Sequence, residues 1–239
     1  MYEEIYNLCS VKNKGSVFQN GSDKITPRVE WILNFLMDNK MPFILDEFPV
    51  KDGTGYNIIL TGESGKWVTC HHDIVNPKSD NANDNSCSII NAISLKQLAP
   101  HINVAILDGE EPGGLGSNRL SSQMKAGDYG VIDWILNLEL TGIGGKDFLI
   151  CNSNMDKSLS KRVRDLFICD IIGVPFNDSV IFRKNGFDSI VINPLPRMEN
   201  GKLDMSVLFR CHSMSDSVDK ISIEDMKVFT EEVLLPIVS

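Results

Sequence analysis

The segment Asp108-Gly109-Glu110-Glu111-Pro112-Gly113-Gly114-Leu115-Gly116-Ser117 directly follows the apolar run Val104-Ala105-Ile106-Leu107. A short β-branched run ending in adjacent carboxylates and a glycine-rich turn predicts a strand that delivers acids to the carboxyl edge of a sheet. Open α/β sheets hold their ligands at that edge. Two neighbouring glutamates repel each other, so a fold tolerates them when solvent or a cation offsets their charge. Four further element boundaries carry side chains of the same kind. They are His71-His72-Asp73 after Trp67–Cys70, Asn83-Asp84-Asn85 ahead of an apolar helical stretch, Asn137-Leu138-Glu139 after Val131–Leu136, and His212 after a strand at 206–211. Imidazoles and carboxylates without thiolates suit zinc, with cobalt or manganese as alternatives, and do not suit a structural zinc site.

The elements that must position these residues follow from periodicity. A helix is expected at 2–9 and a stronger one over Pro27–Asn39, with Thr26 as its cap, Pro27 at the first helical position and Ile32, Leu33, Phe35 and Leu36 as its apolar stripe. Strands are expected at 43–45, 57–60, 67–71, 103–107, 131–139, 147–151, 189–193 and 206–211. Helices are expected at 86–98, 117–125, 156–171 and 223–235, the last capped by Ser222 with Glu224-Asp225 in its first turn. Such alternation predicts an α/β fold: a single domain over 1–239, built as a three-layer α/β/α sandwich with a central mixed, largely parallel β-sheet.

Bulk properties bound the function classes. At 239 residues, with 42% hydrophobic and 23% charged residues, the chain can bury one sizeable core. A net charge of −9 argues against nucleic acid or an anionic membrane surface as partner. The acidic N-terminal segment Met1–Leu8 has no signal-peptide pattern, and no apolar run approaches the roughly 18 residues of a membrane span. The cysteines (Cys9, Cys70, Cys87, Cys151, Cys169, Cys211) lack paired spacing and are expected to be reduced. A cytoplasmic protein is the expectation. Nothing in the sequence marks its oligomeric state.

Strand alternation puts His71 and Asp73 on one face and His72 on the other. A ligating imidazole usually gives its second N–H to an acceptor, which Asp73 could be, or Asp73 could act more indirectly. His72 and His101 are expected to be structural. A Cys₂His₂ site from Cys70-His71 and Cys211-His212 fails, because adjacent residues of an extended strand face opposite ways.

These segments resemble, in sequence order, the five motifs of the co-catalytic zinc aminopeptidases related to bacterial leucyl aminopeptidase. That family also takes in glutamate carboxypeptidase-like proteins and glutaminyl cyclases. The motifs here are His71-His72-Asp73, Asn81–Ser86, Glu110–Ser117, Asn137-Leu138-Glu139 and His212–Asp216. The resemblance implies one metal on His71 and Glu139, a second on Glu111 and His212, Asp84 bridging both, and Glu110 as general base. Asp73 would stand behind the ligands, Asp216 would occupy a further motif position, and the Asp84-Asn85 peptide would be cis. Two departures stand out. The family usually has aspartate where Glu139 stands, and the bridging motif continues Ser86-Cys87-Ser88 in place of Ala-Ser-Gly. Cys87 is then either a packing residue or a thiol sensitised by a helix N-terminus.

The resemblance implies hydrolysis of the N-terminal peptide bond of small peptides. A glutaminyl cyclase with one zinc, or a silent binding scaffold, would use the same fold. Thr141–Lys146 and Leu195–Met205 are candidate pocket segments, with Phe187, Met198 and Met205 as candidate wall residues. Arg197 would pair with a surface acid or recognise a substrate carboxylate.

Overall fold

The computed structural model describes residues 1–11, 25–51, 53–151, 158–172 and 176–239. Among these, eight strands form one mixed sheet: β1 (Ile44–Val50), β2 (Gly53–Leu60), β3 (Lys66–His71), β4 (Asn103–Leu107), β5 (Trp134–Leu138), β6 (Phe148–Cys151), β7 (Asp170–Ile172) and β8 (Ser189–Pro194). Their order is β1-β2-β4-β3-β5-β8-β6-β7. The pairs β3–β4, β3–β5, β5–β8 and β6–β7 are parallel, whereas β1–β2, β2–β4 and β6–β8 are antiparallel.

Alternation along the strands divides the core between two faces. Val68, Cys70, Val104, Ile106, Leu136 and Leu138 pack on one face against α1 (Glu4–Ser10), α2 (Pro27–Asp38), α3 (Cys87–Leu98) and the C-terminal helix. Trp67, Ala105, Leu107 and Ile135 pack on the other against Leu120 and Met124 of α4 (Leu115–Ala126) and Phe182 of α6 (Asp178–Lys184). The expected α/β fold, covered on both faces, is the observed one.

The helices form for local reasons. Thr26 Oγ1 accepts from Val29 N at 3.3 Å and Pro27 opens α2, whose Val29, Ile32 and Leu36 are buried. In α3, Ile89, Ile90, Ala92, Ile93 and Leu95 are fully buried, as the apolar run requires. Ser222 Oγ accepts from Asp225 N at 3.1 Å to start α7 (Ile223–Val228), which runs through a π segment into α8 (Leu235–Val238).

Two expectations are corrected, and one element was not expected. Residues expected as a strand at 206–211 form a 3₁₀ turn, Met205–Arg210, capped by Asp204, which accepts from Ser206 N. The expected helix at 156–171 is α5 (Ser158–Leu166) followed by β7, and positions 156–157 lie outside the described residues. Helix α6, opened by Asn177 accepting from Val180 N, had no counterpart in the sequence reading. Among the described residues, no helix is long and apolar enough to cross a membrane.

Register explains why the site forms where it does. His71 pairs with Leu107 across β3–β4, and Thr69 pairs with Asn137 across β3–β5. The residues that follow, Glu110 and Glu111 after β4 and Glu139 after β5, therefore emerge beside His71 at one sheet edge.

Candidate metal centre

At that edge, His71 Nε2 lies 3.3 Å from Asp84 Oδ1 and 3.5 Å from Glu139 Oε2. His212 Nε2 lies 3.3 Å from the other oxygen, Asp84 Oδ2, and 3.1 Å from Glu111 Oε1. The two oxygens of one aspartate thus face two separate histidine–glutamate pairs. Zinc bonds of about 2.0–2.1 Å at tetrahedral angles put neighbouring ligand atoms roughly 3.3 Å apart. The donor chemistry and these separations fit two divalent ions sharing Asp84. Glu110 also comes into the cluster, its carboxylate grouped with His71 and Glu111.

Backbone conformation aims these side chains. Asp84 sits in the π turn Ala82–Ser86, which enters α3, and the Asp84-Asn85 peptide is cis. Asp216 grips this turn from outside, its carboxylate oxygens accepting from Asn83 N at 2.8 Å and Asp84 N at 3.0 Å. Asp73 does the same for the acidic turn, accepting from Glu110 N and Glu111 N at 3.1 Å each. It also faces His71 Nδ1, with its Oδ1 at 3.3 Å and its backbone oxygen at 3.2 Å. A histidine whose second nitrogen is held this way presents the other to a metal. His212 has φ 63° and stands half-exposed at the mouth, after the 3₁₀ turn rather than a strand.

Two asparagines that stand in the motifs with no expected role carry Glu139. Asn85 Nδ2 donates to its Oε2 at 2.9 Å, and Asn137 Nδ2 donates to its Oε1 at 3.0 Å. Asn137 is fixed in turn by Thr69 Oγ1 at 2.9 Å. With the carboxylate held at both oxygens, the longer side chain still reaches the His71 group. Asn flanking a strand-end acid two residues away was the only signal in the sequence.

The electrostatics are those of a crowded, largely buried acidic cluster. Burial pushes the Glu110 carboxyl up to about 10 and Glu111 to about 7, and neighbouring carboxylates push the same way. Burial alone would lower the His71 pKa, yet Glu139, Asp73 and Asp84 outweigh it and raise it well above 6.5. Asp178, fully buried at the start of α6, is a further acid not anticipated, pushed up to about 7 by burial. Bound dications would supply the missing positive charge.

The remaining candidates fall elsewhere. The His72 ring is buried and bonds Tyr56 O at 2.8 Å, and the His101 ring meets Val238 O at 3.2 Å. Cys70 and Cys87 are buried, and burial raises both thiols, so Cys87 packs and is not sensitised. Arg197 meets Asp147 at 2.6 Å and Asp170 at 3.3 Å, the surface-acid alternative. A cavity of about 320 Å³ opens beside the acids, with Leu149, Ile172, Phe176, Val191 and Leu208 as its apolar wall and Asn177 and Asn193 among its polar lining. The expected wall residues are not in it: Phe187 packs against the core on the α4 side, while Met198 and Met205 are exposed.

Residues 57–235 match the family described as Peptidase family M28. No curated protein sequence is significantly similar to the chain. Among solved structures, a zinc aminopeptidase from Bacillus subtilis superposes with a TM-score of 0.65 at 20% identity, over 79% of this chain and 50% of that one. The LapA aminopeptidase of Legionella pneumophila gives 0.74 at 12% identity, over 99% and 69%. A glutaminyl cyclase from Porphyromonas gingivalis gives 0.72 at 17% identity, over 99% and 95%. The chain therefore spans about half the length of the Bacillus enzyme and nearly all of the cyclase. These likenesses establish the shared fold, and the match over most of the sequence establishes kinship: the chain belongs to peptidase family M28.

Proposed function

We propose that this protein is a zinc-dependent aminopeptidase that releases the N-terminal residue of small peptides. The observation that carries the proposal is Asp84, whose two oxygens each face a different histidine. His71, Glu139 and Asp84 would hold one ion, and Glu111, His212 and Asp84 the other. When bound, such a pair activates a water for attack and polarises the scissile carbonyl.

The chain's own residues do the rest. Glu110, beside a ligand, takes the proton of the attacking water and returns it to the leaving amine. Its raised pKa comes first from burial and then from neighbouring negative charge, and cations held by the flanking ligands would favour the ionised form that a base requires. Asp73 fixes the backbone of Glu110 and the ring of His71 together, so base and ligand keep one geometry. The acids around His71 attract a free α-amine, which restricts cleavage to the peptide's end. The apolar wall of Leu149, Ile172, Phe176, Val191 and Leu208 favours an apolar N-terminal side chain.

A second reading is a glutaminyl cyclase, favoured by the match over 95% of the Porphyromonas enzyme's length. His71 and Glu139 argue for the two-ion peptidase, because the cyclase reading needs neither as a ligand. Product analysis separates them. Zinc-loaded protein is incubated with a panel of peptides differing in their first residue, and products are weighed by mass spectrometry. Release of the free first residue supports the peptidase. Loss of ammonia from N-terminal glutamine, with the peptide otherwise intact, refutes it in favour of the cyclase.

A further inference from the structure

Helix α2 precedes the segment that matches the family, yet one of its side chains reaches the metal centre from behind. Arg28 is completely buried. Its Nε donates to the backbone oxygen of His72 at 2.7 Å, and its Nη2 donates to Ser86 Oγ at 3.0 Å. Ser86 Oγ donates in turn to Asn81 O at 2.6 Å, closing the turn that carries Asp84. One guanidinium thus joins the residue after His71 to the loop that presents Asp84.

Hydrogen bonding alone does not explain an arginine here. Both acceptors are neutral, and among the described residues no carboxylate lies within ion-pair distance of it. A buried cation with no contacting anion is costly. Its charge interacts at longer range with Cys9, Asp73, Asp84 and Cys70, and two of these, Asp73 and Asp84, are the acids that hold and bridge the candidate ligands. The guanidinium also presents its donors in a rigid fork, which suits tying two segments at a fixed spacing.

We propose that Arg28 is a positioning residue for the metal centre, holding the His71 and Asp84 segments at the separation that an ion bound by both requires. The proposal rests on the metal-binding reading of the site and extends the working part of the protein into its N-terminal helices. Two variants test it. Arg28→Met keeps the apolar stem and removes both charge and fork, and Arg28→Lys keeps charge but not the fork.

Metal-free protein is checked for folding by circular dichroism, and zinc affinity is then measured by competition with a chelator. Loss of a group that orients metal ligands typically weakens binding by about 10–100-fold. Arg28→Met is expected to fold and to lose zinc affinity on that scale, with Arg28→Lys intermediate and kcat falling more than KM rises. A folded Arg28→Met with the affinity of the wild type overturns the proposal. If Arg28→Met does not fold, Arg28→Lys decides: weakened zinc binding supports the proposal and unchanged binding overturns it. A wild-type chain that binds no zinc overturns it together with the metal reading. A wild-type chain that binds zinc without cleaving peptides removes only the proposed function, because the affinity comparison uses no substrate.

Discussion

Replacing Asp73 by asparagine tests how the site is held together. The carboxylate is 1% exposed and spends both oxygens on the backbone N–H groups of Glu110 and Glu111. An amide keeps one acceptor and turns a donor toward the other N–H. That orphans a buried donor, a cost of ~2 kcal/mol. For a chain of this size such a loss lowers the melting midpoint of the metal-free protein by about 4–8 °C. The same change loosens His71, whose Nδ1 lies 3.3 Å from Asp73 Oδ1. Weakening a ligand's orienting partner costs about 10–100-fold in metal affinity, equivalent to roughly 1.4–2.7 kcal/mol. Differential scanning fluorimetry of the metal-free protein reads the first effect, and chelator competition for zinc reads the second. The two must appear together. An Asp73→Asn protein with unchanged midpoint and unchanged zinc affinity would refute the idea that Asp73 ties the acidic turn to His71.

Other outcomes follow from the same geometry. Glu110→Gln removes the base while leaving His71, Asp84, Glu111, Glu139 and His212 in place. It should retain its metal while kcat falls by about 10²–10⁴, and loss of bound metal in this variant would assign Glu110 to ligation instead. Metal-free protein should lose stability as pH rises. Glu111 and Asp178 at about 7 and Glu110 at about 10 bind protons more tightly folded than unfolded, where carboxyls titrate near 4. The raised His71 acts in the same direction. The midpoint should therefore fall between about pH 5 and 8 in thermal scans, and zinc, which needs deprotonated ligands, should stabilise more at the higher pH. A metal-free midpoint that climbs over this range would contradict the burial of these acids.

Much of this site could be read from strand ends. Val104–Leu107 and Trp67–Cys70 are apolar enough to be central strands, so whatever follows them must surface at the sheet edge, and parallel pairing puts His71, Glu110, Glu111 and Glu139 together. The helix at Pro27 was equally legible, because Thr26 and Pro27 mark its start by local chemistry. The segment 206–211 misled because Val207, Phe209 and Cys211 alternate like a strand. Only Val207 is buried, Phe209 is 85% exposed, and Asp204 caps a 3₁₀ turn instead. Strand β7, three residues long, was too short to show periodicity, and helix α6 offered only the Asn177 cap as a local start signal. The Asn85 support of Glu139 and the reach of Arg28 depend on contacts between residues 44 to 58 positions apart, which no local pattern encodes.

The claim that Asp84 is shared by two ions is tested most directly by counting them. Protein purified without chelator or added metal, and again after zinc addition and desalting, is assayed by elemental mass spectrometry against protein concentration. The account predicts close to two zinc-type ions per chain after zinc addition, falling by at least one when His212 is replaced by alanine. One ion per chain even with zinc in excess would contradict the shared site and point to a single-metal enzyme, and none would remove the metal mechanism altogether.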